Sequence, residues 1–237
     1  MTSITSQPLT IAVSDAERVS ALLQTPANAR ACYVLAHGAG AGMTHPFMSA
    51  IANELAARGI ATLRYQFPYM EKGSRRPDSP KLAQATVRSA VAEASRLHPN
   101  LALVAGGKSF GGRMTSQAQA LAPLPGVRGL VFLGFPLHPA GTPSSERAKH
   151  LFDVQTPMLF LQGTRDELAH LPLIEALAEQ LNARATLKLF ADADHSFHVP
   201  KRSGRTDSQV IAELSDAVAA WIGTISAANG RATSQEM

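Results

Sequence analysis

Cysteine is nearly absent: Cys32 stands alone among 237 residues, which excludes a disulfide framework within the chain. It sits in the apolar run 32–36, where a buried, inert strand thiol is the expected role. Aromatic residues are sparse at 5%, charged ones modest at 17%, and apolar ones make up 45%; that balance describes a globular chain and excludes a disordered or collagen-like one. Residues 1–10 lack the basic start and apolar stretch of a signal peptide, and no uninterrupted apolar run is long enough to span a bilayer. The expected location is the cytoplasm, with no membrane partner. Charge of either sign is not concentrated. Twenty-two Lys and Arg against eighteen Asp and Glu give +4, and the basic groups Arg75-Arg76 and Lys201-Arg202-Arg205 carry no interleaved aromatics, so no nucleic-acid partner is expected. No His/Cys/Asp/Glu cluster has metal-ligand spacing, so no metal is expected. Internal repeats and composition breaks are also lacking. Residues 1–225 therefore read as one domain, and 226–237, without an apolar anchor, are expected to fray.

What is present is an alternation. Short Val-, Leu- and Ile-rich runs at 32–36, 60–65, 101–105, 130–133, 158–162 and 187–190 are strand length and bounded by turn residues. Between them lie helix-period stripes: Phe47, Met48, Ile51 and Leu55, stopped by Gly59; residues 80–97, stopped by His98-Pro99-Asn100; and Leu173, Ile174, Leu177, Ala178 and Leu181. A last helix carries Val210, Leu214, Val218 and Ile222 behind a Thr206/Gln209 capping box. Such alternation predicts an α/β fold with a mostly parallel sheet covered on both faces. The segment 134–156 leaves room for a short lid but not a cap domain.

The sharpest signal is Gly107-Lys108-Ser109-Phe110-Gly111, a G-x-S-x-G elbow directly after a strand run and before a helix-compatible stretch. Its glycines allow the close backbone approach that lifts a serine hydroxyl clear of the sheet. A phosphate-binding loop ends in the same Gly-Lys-Ser, but that motif needs a glycine where Ala102 stands. A serine hydroxyl is a weak nucleophile without a base. His195, just past the run 187–190, is the candidate, with His198 as competitor. Asp166, after the run 158–162, would orient the histidine and gives the chain order Ser, Asp, His; Glu167 is the adjacent alternative. An oxyanion needs two backbone donors: Phe110 supplies one, and Ala39, with Gly40 close behind, is chosen for the other from His37-Gly38-Ala39-Gly40-Ala41-Gly42. His37 reads as a structural brace for that turn. Candidate substrate-binding residues are Gly40, Lys108, Tyr65, Phe67 and His138, with Pro68, Tyr69, Phe135 and Pro136 as further pocket walls. Lys108 would greet a substrate carboxylate or phosphate, or simply be solvated.

The set His37-Gly38-Ala39-Gly40, Gly107-Lys108-Ser109-Phe110-Gly111-Gly112-Arg113, Gln162-Gly163-Thr164-Arg165-Asp166 and Asp194-His195-Ser196-Phe197 resembles the α/β-hydrolase superfamily. More narrowly it resembles the dienelactone-hydrolase-like branch that includes the testis-expressed and histone-acetyltransferase-complex hydrolase-like proteins. The resemblance spans roughly residues 30–223 and implies an eight-stranded, mostly parallel sheet. The short region before Ala31 leads to the expectation that one or both leading antiparallel strands are missing. Dienelactone hydrolases proper use a cysteine nucleophile, so their substrate does not carry over to Ser109. The function expected is a serine hydrolase acting on a small carboxylic ester, thioester or lactone through an acyl-enzyme, without a cofactor. A scaffold that binds a protein partner through the same fold, catalytically idle, is the alternative.

Overall fold

A computed structural model describes residues 5–233. The parallel strands follow from the apolar runs: β3 (Ala31–Ala36), β4 (Ile60–Tyr65), β5 (Ala102–Lys108), β6 (Val127–Leu133), β7 (Met158–Gly163) and β8 (Ala185–Phe190). Successive side chains on a strand point to opposite faces. Cys32, Val34 and Ala36 accordingly join one core cluster, while Ala31, Tyr33 and Leu35 join the other. Both faces are buried, which is why β3 reads as a continuous apolar run rather than an alternating one.

The leading strands are present, contrary to expectation. β1 (Gln7–Ala12) and β2 (Arg18–Gln24) form an antiparallel hairpin, and β2 pairs antiparallel with β4. Neither carries an apolar stretch longer than Ala21-Leu22-Leu23, so no strand-length run marks them; Ile11, Val19, Ala21 and Leu23 nevertheless point into the core. Among the described residues the sheet thus has eight strands in the order β1-β2-β4-β3-β5-β6-β7-β8, with β3 to β8 parallel.

Helices α3 (Pro80–Leu97), α4 (Phe110–Leu121) and α5 (Leu171–Leu181) cover one face, through Val87, Val91, Met114, Ala118, Ile174 and Leu177. Helices α1 (Pro46–Ala57) and α6 (Asp207–Thr233) cover the other, through Met48, Ile51, Leu55, Val210, Leu214 and Val218. The one-turn helix α2 (Pro68–Glu71) follows β4. The predicted stops hold: Gly59 takes a left-handed φ of 72° after α1, and His98 caps α3. At the start of α6, Thr206 N–H donates to Gln209 Oε1 at 2.8 Å and Gln209 N–H to Thr206 Oγ1 at 3.2 Å.

Helix α6 does not end near Ile225 but continues to Thr233. Residues 234–237 of the expected tail lie outside the described residues. By length and composition Asp207–Ala227 would suffice to cross a membrane, yet Val210, Leu214, Val218 and Ile222 are buried against the sheet, as in a core helix. The segment 134–156 holds only loop and a 3-10 helix (Glu146–Asp153).

Candidate active site

Every candidate residue enters from the carboxyl end of a parallel strand, where open α/β sheets present their clefts. Ser109 occupies the single position between β5 and α4, at φ 49° and ψ −113°, a left-handed conformation unfavourable for a residue with a Cβ. Two glycines allow it. A Cβ on Gly107, whose φ is 149°, would lie 2.2 Å from the Ala36 carbonyl oxygen, and one on Gly111 would lie 2.6 Å from both Ala36 Cβ and the His37 carbonyl oxygen. The end of β3 and the start of α4 therefore press together in a way only glycine permits. β5 stays paired with both neighbours through Gly107, which leaves no loop of free amides before Ser109 to cradle a phosphate.

From the serine a chain of hydrogen bonds runs inward. His195 Nε2 is 2.8 Å from Ser109 Oγ, and His195 Nδ1 is 2.7 Å from Asp166 Oδ2. With a carboxylate accepting at Nδ1–H, Nε2 is left as the acceptor for the serine hydroxyl. Asp166 is 5% exposed and fully engaged: Oδ1 accepts from the Leu168 amide at 2.8 Å, and Oδ2 also accepts from Gln162 Nε2. The other end of that amide, Gln162 Oε1, accepts from the Phe135 N–H at 2.9 Å, which fixes the orientation of the side chain. The competitors are placed elsewhere. His198 is exposed and pairs with Asp207 at 2.8 Å, whose carboxylate raises its pKa; Glu167 is exposed, and among the described residues the side-chain partners of the two histidines are Ser109, Asp166 and Asp207.

Phe110 is the first residue of α4, so its N–H has no partner within the helix. In the β3–α1 turn the Gly40 N–H donates to Tyr69 Oη at 3.0 Å and the Ala41 N–H to the Gly38 carbonyl at 3.3 Å. The Ala39 N–H has no acceptor among the described residues. His37 braces the turn as expected: Nδ1–H donates to the Gly38 carbonyl at 2.8 Å and Nε2 accepts from the Phe67 N–H at 3.1 Å. Burial lowers its pKa to about 4, so the ring is neutral.

A cavity of about 340 Å³ opens beside Ser109 and His195. Its walls correct the sequence expectation. Tyr65 and Phe67 are wholly buried and pack in the core below the cleft. His138 is also buried and ties two loops together, Nδ1–H donating to the Pro139 carbonyl and Nε2 accepting from the His170 N–H. Gly40 contributes its amide to Tyr69 rather than a surface to the cavity. Lys108 does reach the cavity wall, and it is engaged within the fold: Nζ donates to the His195 carbonyl oxygen at 2.6 Å and lies over the Phe197 ring at 5.6 Å. Desolvation pushes its pKa down to about 8 against the pull of Asp166 and Asp194.

The actual walls include His45, Phe47, Met48 and Leu168. Phe47 and Met48 read as core residues because both fall in the α1 stripe. Neighbours on a helix, however, point about 100° apart, so Met48 is buried while Phe47 turns outward and stacks on Phe197 at 5.9 Å. Two adjacent apolar residues one turn after a glycine loop are the signal that would have found them. Among the described residues, no group of three or more His, Cys, Asp or Glu could hold a metal ion.

The profile of the alpha/beta hydrolase domain matches residues 29–223. Among solved structures, dienelactone hydrolase from Anabaena variabilis superposes with a TM-score of 0.75 at 21% identity, over 93% of this chain and 97% of that one. An α/β serine hydrolase without a lid from Xanthomonas campestris gives 0.70 at 21% identity, over 91% and 94%. Est1E from Butyrivibrio proteoclasticus, solved with ferulic acid bound, gives 0.67 at 16% identity, over 86% and 96%. At these identities the likeness is one of fold.

Proposed function

Because this chain belongs to the alpha/beta hydrolase family, we propose that it is a serine hydrolase cleaving small carboxylic esters, thioesters or lactones through an acyl-enzyme. The observation that carries the reading is the continuous hydrogen-bonded series from Ser109 Oγ through His195 to the buried Asp166. In the proposed reaction His195 Nε2 takes the hydroxyl proton as Ser109 Oγ attacks the carbonyl carbon. Asp166 stabilises the imidazolium and holds its tautomer. The Ala39 and Phe110 amides receive the oxyanion. His195 then protonates the leaving oxygen or sulfur, and in the second half it activates the water that releases the acid. No step calls on a cofactor.

The cavity suits a small-molecule partner. Phe47, Met48 and Leu168 offer apolar contact, and the ferulic acid bound by Est1E makes aryl and hydroxycinnamoyl esters worth including beside short alkyl ones. A catalytically idle scaffold would have no use for a serine held at positive φ with its hydroxyl on a histidine. The test is hydrolysis of short p-nitrophenyl esters by the native protein, Ser109→Ala and His195→Ala. Turnover lost in both variants supports the reading; a folded native protein without turnover across alkyl, aryl and thioester substrates contradicts it.

A further inference from the structure

Resting on the serine-hydrolase reading, we infer that Tyr69 is a positioning residue for the oxyanion site, holding Gly40 in place so that the Ala39 amide is the one left facing the substrate oxygen. Tyr69 lies in the one-turn helix α2, is 3% exposed, and belongs to neither the elbow nor the glycine turn. It nevertheless touches both residues next to the developing charge. Its Oη accepts the Gly40 N–H at 3.0 Å. Its ring meets the Phe110 ring edge-on, with centroids 6.4 Å apart.

The turn is thereby fixed from below at two neighbouring points. His37 Nδ1–H holds the Gly38 carbonyl, and Tyr69 Oη holds the Gly40 amide. Ala39 lies between them, with its own N–H unengaged and its residue on the cavity wall. Were the phenol absent, the Gly40 and Ala39 amides would compete for the same oxygen, and a glycine-rich turn has little stiffness of its own to choose between them. Preorganised donors stabilise an oxyanion because their orientation is fixed before charge develops. Tyr69 is itself anchored, since its backbone N–H donates to Asp78 Oδ2 at 3.1 Å. The order Asp78, Tyr69, Gly40, Ala39 thus runs from the surface to the proposed reaction centre.

The test compares native protein with Tyr69→Phe, which keeps the ring against Phe110 and removes only the hydroxyl. Steady-state hydrolysis of p-nitrophenyl butyrate is measured with inhibition by a trifluoromethyl ketone, whose serine adduct carries an oxyanion. The expected result is a kcat lower by roughly ten- to a hundredfold, less than full loss of a donor. Inhibitor affinity should weaken by a comparable factor, with KM and the acid limb of the pH profile unchanged. Asp78→Ala, which frees the Tyr69 backbone, should give a smaller fall of the same kind and covers the case in which Tyr69→Phe does not fold. Native turnover with unaltered kcat and inhibitor affinity in the folded variants overturns the inference and leaves the serine-hydrolase reading standing. A native protein that neither turns over nor binds the ketone overturns both.

Discussion

Lys108 Nζ donates to the backbone carbonyl oxygen of His195 at 2.6 Å, so the residue before the proposed nucleophile holds the turn that carries the proposed base. The contact spans from the end of β5 to the loop after β8, the two segments that carry Ser109 and His195. Lys108→Met keeps the aliphatic stem at the cavity wall and removes the donor. We expect kcat to fall by roughly ten- to a hundredfold, the scale of a catalytic group misplaced by a fraction of an ångström to an ångström, with KM changed little. Steady-state kinetics on one ester check this; an unchanged kcat would show that the turn is held without Lys108.

The same lysine makes stability depend on pH. Its pKa is about 8 in the fold against an ordinary 10.5. Below about 8 it is charged both folded and unfolded, and the cost of burying the ammonium is fully present. Between about 8 and 10.5 the unfolded chain binds a proton that the native state does not, so this group's contribution to stability rises with pH. Urea unfolding of native protein and Lys108→Met across that window should show a more positive slope for the native chain; parallel slopes would contradict the assignment.

Gln162 is the hidden support of Asp166. Gln162→Leu would orphan the buried Phe135 N–H and remove one donor from Asp166 Oδ2. The unsatisfied buried N–H costs on the order of 1–3 kcal/mol and the lost hydrogen bond to a charged carboxylate about 1.5–3 more, so a loss of roughly 2–6 kcal/mol is expected by denaturant unfolding. Gln162→Glu, which offers the Phe135 N–H an acceptor but sets a carboxylate against Asp166, should recover little of it.

Phe47 is exposed enough to meet a ligand and stacked enough to be held in place. Phe47→Ala should raise KM for aryl and butyryl esters several-fold while sparing kcat, the pattern of lost uniform binding. Loss of the Phe197 stack should cost roughly 0.5–1.5 kcal/mol of stability. A fall in kcat with constant KM would move Phe47 from the wall of the cavity to the chemistry.

The architecture was legible where residues carry their own context. Ser109, Asp166 and His195 each lie within five residues after an apolar strand run, and the structure brings the three together. The alternation of runs and stripes likewise led to a mostly parallel α/β sheet covered on both faces, and the resemblance of the four motifs led from there to the α/β-hydrolase fold. The β1–β2 hairpin escaped because its two strands are only partly buried and their apolar residues are too few in a row to stand out as strand-length runs. Tyr65 and Phe67 were misplaced because being near a strand end does not say which face a side chain takes; Tyr65 shares the face of Ala61 and Leu63, toward α3 and α4. Lys108 and Tyr69 make their contacts with residues far away in sequence, His195 and Gly40. No local pattern encodes such pairs.

Fluorophosphonate labelling of the native protein, with the adduct located by peptide mass spectrometry, tests the central claim most directly. The account predicts one adduct, on Ser109, abolished by prior denaturation and strongly slowed in His195→Ala. A folded protein that stays unlabelled, or carries its adduct on another residue, would contradict it.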